Sequence, residues 1–130
     1  MGTRSTIALQ YADGTVEQVY CHWDGYLEGV GAQLRDEFTD PFELRDLIDG
    51  GDMSTLDTPY SLRGEVCPAR KYKDLSEYFA ECQQEEYDYI LRNINGKATW
   101  FVRCYATQGA WVPFAEAEEM VELMNEREDY

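Results

Sequence analysis

The most reactive-looking run in the chain is Cys21-His22-Trp23-Asp24, which sets a thiol, an imidazole and a carboxylate almost side by side. Nucleophilic catalysis by a Cys–His pair needs sulfur and ring nitrogen within hydrogen-bond reach. Adjacent residues of an extended strand point to opposite sides, so Cys21 and His22 cannot serve each other in this way. The run is expected to be structural, with Trp23 packing at the end of a hairpin and Asp24 capping the next helix. Zinc fares no better as a reading. Cys21, Cys67, Cys82 and Cys104 include no CxxC pair, and His22 is the single histidine, whereas a zinc site converges four soft ligands, usually in close pairs. The cysteines are therefore expected to be buried free thiols that behave as small apolar residues. The glycine-rich stretch from Gly25 to Gly31 lacks the lysine and the preceding buried strand of a phosphate-binding loop. No catalytic residue, metal or cofactor is expected, and the chain reads as non-enzymatic. An alternative assigns His22, Trp23, Asp24 and Tyr26 to an aromatic pocket for a nucleotide or another small ligand.

The acids carry more information than any motif. The chain has 26 Asp and Glu against 11 Lys and Arg, a formal charge of -15. They are unevenly placed. Residues 36 to 57 hold Asp36, Glu37, Asp40, Glu43, Asp46, Asp49, Asp52 and Asp57 with Arg45 as the one base. Residues 74 to 91 have acids and no base, and the end of the chain sets Glu116, Glu118, Glu119, Glu122, Glu126, Glu128 and Asp129 against Arg127. Solvated helix faces would explain a moderate excess. This excess is larger than solubility requires, and self-repulsion costs stability, so a basic partner surface is the better expectation. The predicted contact residues are Glu116, Glu118, Glu119, Glu122 and Glu126 of the last helix with Asp36, Glu43 and Asp46, and the last-helix acids are expected to lack a basic partner other than Arg127. Duplex DNA carries one charge per about 1.7 Å, so this charge equals roughly 25 Å of duplex. A globule of this length has a radius of gyration of about 14 Å, which can carry such an array along one side as a DNA mimic. The same charge disfavours direct binding to nucleic acid or an anionic membrane.

The elements that must position these residues begin with Ser5–Tyr11 and Val16–Trp23, apolar-rich runs flanking Asp13-Gly14, a strong hairpin signal. With those two residues as the loop, Leu9 faces Gln18 and Ile7 faces Tyr20. A first helix follows Asp24, with Leu27, Val30, Leu34 and Phe38 at helical spacing. Asp40 as N-cap, Pro41 and Glu43 start a second helix with a Leu44, Leu47 and Ile48 stripe that Gly50-Gly51 ends. Residues 52 to 73 read as mostly loop with one short strand. Asp74 and Glu77 open a third helix over about 75 to 85. A second hairpin turns at Asn95-Gly96, which pairs Asp88 with Arg103 and places Tyr87, Tyr89, Leu91, Trp100, Val102 and Cys104 on one face. Ala117, Met120, Val121 and Met124 mark a last helix over about 115 to 127. The expected fold is α+β, a single antiparallel sheet of two hairpins with about four helices packed on one face.

Apolar residues make up 44% and aromatic residues 14% of the chain, which excludes intrinsic disorder. A single domain over residues 1–130 is expected. No stretch reaches the length of a membrane span and the start has no signal-type apolar run, so a soluble cytoplasmic protein without a membrane partner is expected. Gly2-Thr3-Arg4-Ser5-Thr6, the Ala12-Asp13-Gly14-Thr15-Val16 turn, Tyr20-Cys21-His22-Trp23-Asp24-Gly25-Tyr26 and Gly51-Asp52-Met53-Ser54-Thr55-Leu56 resemble small proteins encoded by bacteriophages and prophages. The likeness covers most of residues 2 to 56 and returns at Glu86-Tyr87-Asp88-Tyr89 and Trp100-Phe101-Val102. It implies a phage-encoded accessory protein in the cytoplasm of a bacterial host. Combined with the charge, it leads to the expectation of an anti-defence or host-takeover protein that inhibits a host nucleic-acid-binding protein.

Overall fold

Two hairpins occupy the middle of the sheet, and each is set by the chemistry of its turn. The computed structural model describes residues 3–128, with side chains up to residue 125. Among the described residues the strands are β1 (Ser5–Gln10), β2 (Val16–Cys21), β3 (Met53–Thr55), β4 (Thr58–Pro59), β5 (Arg70–Tyr72), β6 (Tyr87–Ile94), β7 (Lys97–Cys104) and β8 (Val112–Pro113). The α-helices are α1 (Ala32–Glu37), α2 (Pro41–Asp49), α3 (Leu75–Glu81) and α4 (Phe114–Glu128). The strands join in the order β4-β3-β2-β1-β6-β7-β8, with β5 also pairing β2.

The β6–β7 hairpin has the expected register, with Asp88 opposite Arg103 and Ile94 opposite Lys97. Asn95 and Gly96 both take positive φ, as a tight turn of matching twist requires. The β1–β2 hairpin differs by one residue. Ile7 pairs Val19 and Ala8 pairs Gln18, because Tyr11 N–H donates to Thr15 and the loop is Ala12-Asp13-Gly14, with Gly14 at φ 92. A three-residue loop ending in a left-handed glycine is the next most favoured hairpin turn. The slip moves all of β2 to the other face, so Val19 and Cys21, not Gln18 and Tyr20, join Ile7 and Leu9 in the main core.

The sheet is mixed instead of antiparallel, since β1 and β6 pair in parallel from Ser5 opposite Tyr87 to Leu9 opposite Leu91. It also exceeds two hairpins. The expected loop over residues 52 to 73 contributes three short strands at the β2 edge, and β8 adds to β7. Direction follows from where the chain leaves and returns. β2 ends beside the start of β1, and Tyr87 N–H donates to Arg4 at that same end, so β6 must run alongside β1.

Both faces are covered, not one. Leu34 of α1, Leu44, Leu47 and Ile48 of α2, and Phe114, Ala117 and Val121 of α4 pack on Ile7, Leu9, Tyr89, Trp100 and Val102. α3 lies on the opposite face, where Tyr78 and Cys82 pack on Ala8, Val16 and Ile90. Each fully buried Leu or Ile contributes about 1.5–3 kcal/mol. The α2 and α3 starts follow their capping signals: Phe42 N–H donates to Asp40 at 2.9 Å, and Glu77 N–H donates to Asp74 at 2.8 Å. Among the described residues no helix is long and apolar enough to cross a membrane.

Candidate functional site

The segment after β2 departs furthest from regular geometry. His22 and Trp23 N–H groups donate to Met53 and Ser54, extending the pairing with β3. Asp24 then takes φ 59 and is no cap. The helical start lies at Tyr26, where Leu27–Gly31 forms one wide π-helical turn with Gly29 at φ -99 and ψ -105. A Cβ on Gly29 would sit 2.3 Å from the Asp24 carbonyl oxygen, which already accepts from Val30 N–H. Only glycine fits there. The expected stripe survives this irregularity, since Leu27, Val30 and Leu34 are buried, while Asp24, Tyr26 and Glu28 are left outside.

Two adjoining grooves result. The first, about 370 Å³, is lined by Asp24, Tyr26, Glu28, Gly29, Ala32, Gln33, Asp36 and Glu37. The second, about 420 Å³, shares Glu28 and Ala32 and continues along Leu27, Arg35, Glu118, Val121, Glu122 and Asn125 to α4. Together they hold six carboxylates and one arginine. Arg35 sits between the helices: Nε donates to Asp36 at 2.8 Å and Nη1 to Glu118 at 2.7 Å, with the guanidinium 5.6 Å from the Phe114 ring centre. The hydrogen bond from Arg35 holds the Asp36 carboxyl below its usual range. These pairs are solvent-exposed, so they orient side chains more than they stabilise the fold.

The structure thus brings together Asp36, Glu118 and Glu122 of the predicted contact set, and adds Asp24 and Tyr26 from the alternative pocket. Glu118 does have a basic partner, Arg35, which corrects the expectation for the last helix; no spacing rule links residues on separate helices. Glu116 and Glu119 are exposed on α4, and Glu43 and Asp46 on α2, and these four line neither groove. The Glu126 side chain lies outside the described residues. Glu28 and Glu37 were absent from the predicted set. An acid between the buried Leu27 and Val30 was the available signal for Glu28.

Of the alternative pocket residues, Asp24 and Tyr26 line the first groove, and His22 and Trp23 line neither. His22 Nδ1 lies 2.7 Å from the Tyr20 hydroxyl, and its ring meets Trp23 edge-on at 4.8 Å, away from both grooves. Where Asp24 and Tyr26 do line a groove, the surrounding carboxylates would repel a nucleotide phosphate.

A buried polar cluster lies on the α3 side. Asp88, 1% exposed, accepts from Thr6 Oγ1 at 2.6 Å, Glu85 N–H at 3.0 Å and Arg103 Nη2 at 2.8 Å. Burial pushes its carboxyl up, against the lowering effect of the Thr6 and Arg103 hydrogen bonds. Arg103 also stacks on Trp111 at 4.9 Å. Neither acidic groove reaches this cluster, which braces β1, β6 and β7. All four cysteines are free, with Cys21, Cys82 and Cys104 buried and Cys67 half-buried. Burial pushes the Cys21 thiol up to about 11, the opposite of an activated nucleophile. Among the described residues no three His, Cys, Asp or Glu side chains converge to hold a metal ion.

Comparison of the chain with protein-family models, with curated proteins and with solved structures found no match.

Proposed function

We propose that this chain is a non-enzymatic binding protein whose paired acidic grooves capture a basic surface on another protein. The observation that carries the reading is the meeting of Asp24, Glu28, Asp36, Glu37, Glu118 and Glu122 around α1 and α4, with Arg35 as the one base that lines these grooves among the described residues. Carboxylates lining a concave surface focus the field outward and attract a complementary partner. Their mutual repulsion in the free protein is relieved when lysines and arginines approach, so the interaction favours association rate and specificity. Arg35 fixes Asp36 and Glu118 in place, while Asp24, Glu28, Glu37 and Glu122 have no ion-pair partner among the described residues and supply charge of the kind a phosphate backbone presents.

A basic surface of the kind that holds nucleic acid would accept such an array. From this, together with the resemblance to phage-encoded proteins that the motifs in most of residues 2 to 56 suggest, we infer an inhibitor of a host nucleic-acid-binding protein, acting as a DNA mimic in the bacterial cytoplasm. The test is capture from host lysate on immobilised protein, eluted by a salt series and by duplex DNA. The captured protein should be a nucleic-acid binder, should elute steeply as salt shortens the Debye length from about 8 Å, and should be displaced by duplex. Retention insensitive to both salt and duplex would refute the acidic-face mechanism.

A further inference from the structure

A third groove, about 550 Å³, opens between the β1–β2 turn and the first half of α2, on Leu9, Tyr11, Ala12, Pro41 and Phe42, with Arg45 at its rim. It is more apolar than the acidic pair, and Phe42 stands 75% exposed beside it. Phe is among the residues enriched at interface cores, and an exposed one that lines an apolar groove suits such a contact. Its surroundings are acidic. α2 carries Glu43, Asp46 and Asp49 with Asp40 as its N-cap, and its one base, Arg45, lies 3.9 Å from Asp49. The Tyr11 hydroxyl is closed off from solvent beside the Glu17 carboxylate. Burial, then the neighbouring Glu17 and Asp49 carboxylates, push its pKa up, although among the described residues the groove lining itself holds no carboxylate. A second copy of a chain with charge -15 is a poor occupant of such a site.

We propose that this groove takes one aliphatic or aromatic side chain from a segment of the partner protein in which that residue is flanked by lysines or arginines. The inference rests on reading the chain as an acidic protein-binding module and adds a second contact point to it. The grooves at α1 and α4 attract the partner, while the anchor beside Phe42 slows its departure, since desolvated apolar contacts act on dissociation.

Two synthetic lysine-rich peptides of equal charge test this, one with a central Leu and one with Ser in its place. Binding is followed by backbone amide shifts and by titration. The Leu peptide should shift Leu9, Tyr11, Phe42 and Arg45 and bind at least about tenfold more tightly than the Ser peptide. Phe42→Ser should erase that preference and Phe42→Leu should keep it, while Glu28→Gln with Glu122→Gln should weaken both peptides and leave the preference intact. Equal binding of the two peptides, or silence at the groove while the α1 and α4 amides shift, overturns the anchor and leaves the acidic-module reading standing. Failure of both peptides to bind at low salt overturns that reading and the anchor with it. Concentration-dependent shifts at Phe42 without peptide would assign the groove to self-association and overturn the proposal.

Discussion

Replacing Asp88 with Asn removes one partner from the most buried ion pair described in the molecule. Asn retains one acceptor oxygen, enough for Thr6 and Glu85 N–H, but turns an N–H group toward Arg103, whose Nη2 now donates to the carboxylate at 2.8 Å. Breaking a buried pair in this way costs about 3–5 kcal/mol. Arg103 keeps its stack on Trp111 and some solvent contact, which places the expected loss near the lower end, about 3 kcal/mol. For a domain of this length that corresponds to a fall in Tm of about 10 °C. Urea unfolding followed by tryptophan fluorescence and far-UV circular dichroism reads the loss. Arg103→Met should cost a similar amount, and the double variant less than the sum, because neither charge is then stranded. The pH dependence has a definite sign. Burial raises the folded Asp88 carboxyl above its unfolded value. The stability gained from its protonation is therefore complete below about pH 3.9 and is lost as pH rises through the folded value, leaving the ion pair with Arg103 to hold the ionised group. Arg103→Met raises that value further, and its stability deficit should therefore shrink on mild acidification while the double variant shows no such slope. An Asp88→Asn protein within about 0.5 kcal/mol of the parent would refute the brace.

Gly29→Ala should destabilise by about 2 kcal/mol, against about 1 kcal/mol for Gly14→Ala, since the first drives a Cβ into the Asp24 carbonyl and the second meets only an unfavourable φ; equal melting temperatures for the two would contradict the packing at the π-helical turn. Iodoacetamide at mildly alkaline pH should label Cys67 first and Cys21 far more slowly, as burial and a thiol pKa of about 11 dictate, with peptide mass spectrometry as the readout and equal rates as the contrary result. Glu28→Gln, Glu37→Gln and Glu122→Gln combined should leave the fold intact or slightly firmer while slowing association with a captured partner, measured by surface plasmon resonance; an unchanged association rate would return these acids to the role of solvated surface.

Local signals were legible where one turn or one cap decides the geometry. Asn95-Gly96 has a single favoured loop, and the whole β6–β7 register followed from it. Asp13-Gly14 admits two loop lengths, and the longer one flips Val19 and Cys21 into the core. Asp40 and Asp74 capped as read because their helices begin with regular backbone. Asp24 did not, since the positive φ there and the wide turn at Gly29 depend on contacts that no propensity encodes. The parallel β1–β6 pairing and the placement of α3 on the opposite face were beyond the sequence, being set by how the chain returns to the sheet. For the site, apolar spacing placed Asp36, Glu118 and Glu122 on helices, where the structure has them. Their meeting through Arg35 joins residues 83 positions apart, a distance over which spacing carries no information.

The parallel pairing of β1 with β6 also bears on the order in which the chain can assemble during synthesis. Thr6 and Asp88 are 82 residues apart, yet their strands are neighbours at the centre of the sheet. At roughly 5–20 residues per second, the first hairpin waits about 4–16 s after β1 is made before β6 has been synthesised. Through that interval β1 presents an unpaired edge backed by Ile7, Ala8 and Leu9, all buried in the finished protein. Such an edge is a template for wrong pairing, and contacts of this separation slow folding. Nascent chains ending before residue 87 should therefore depend on chaperones that shield exposed strands.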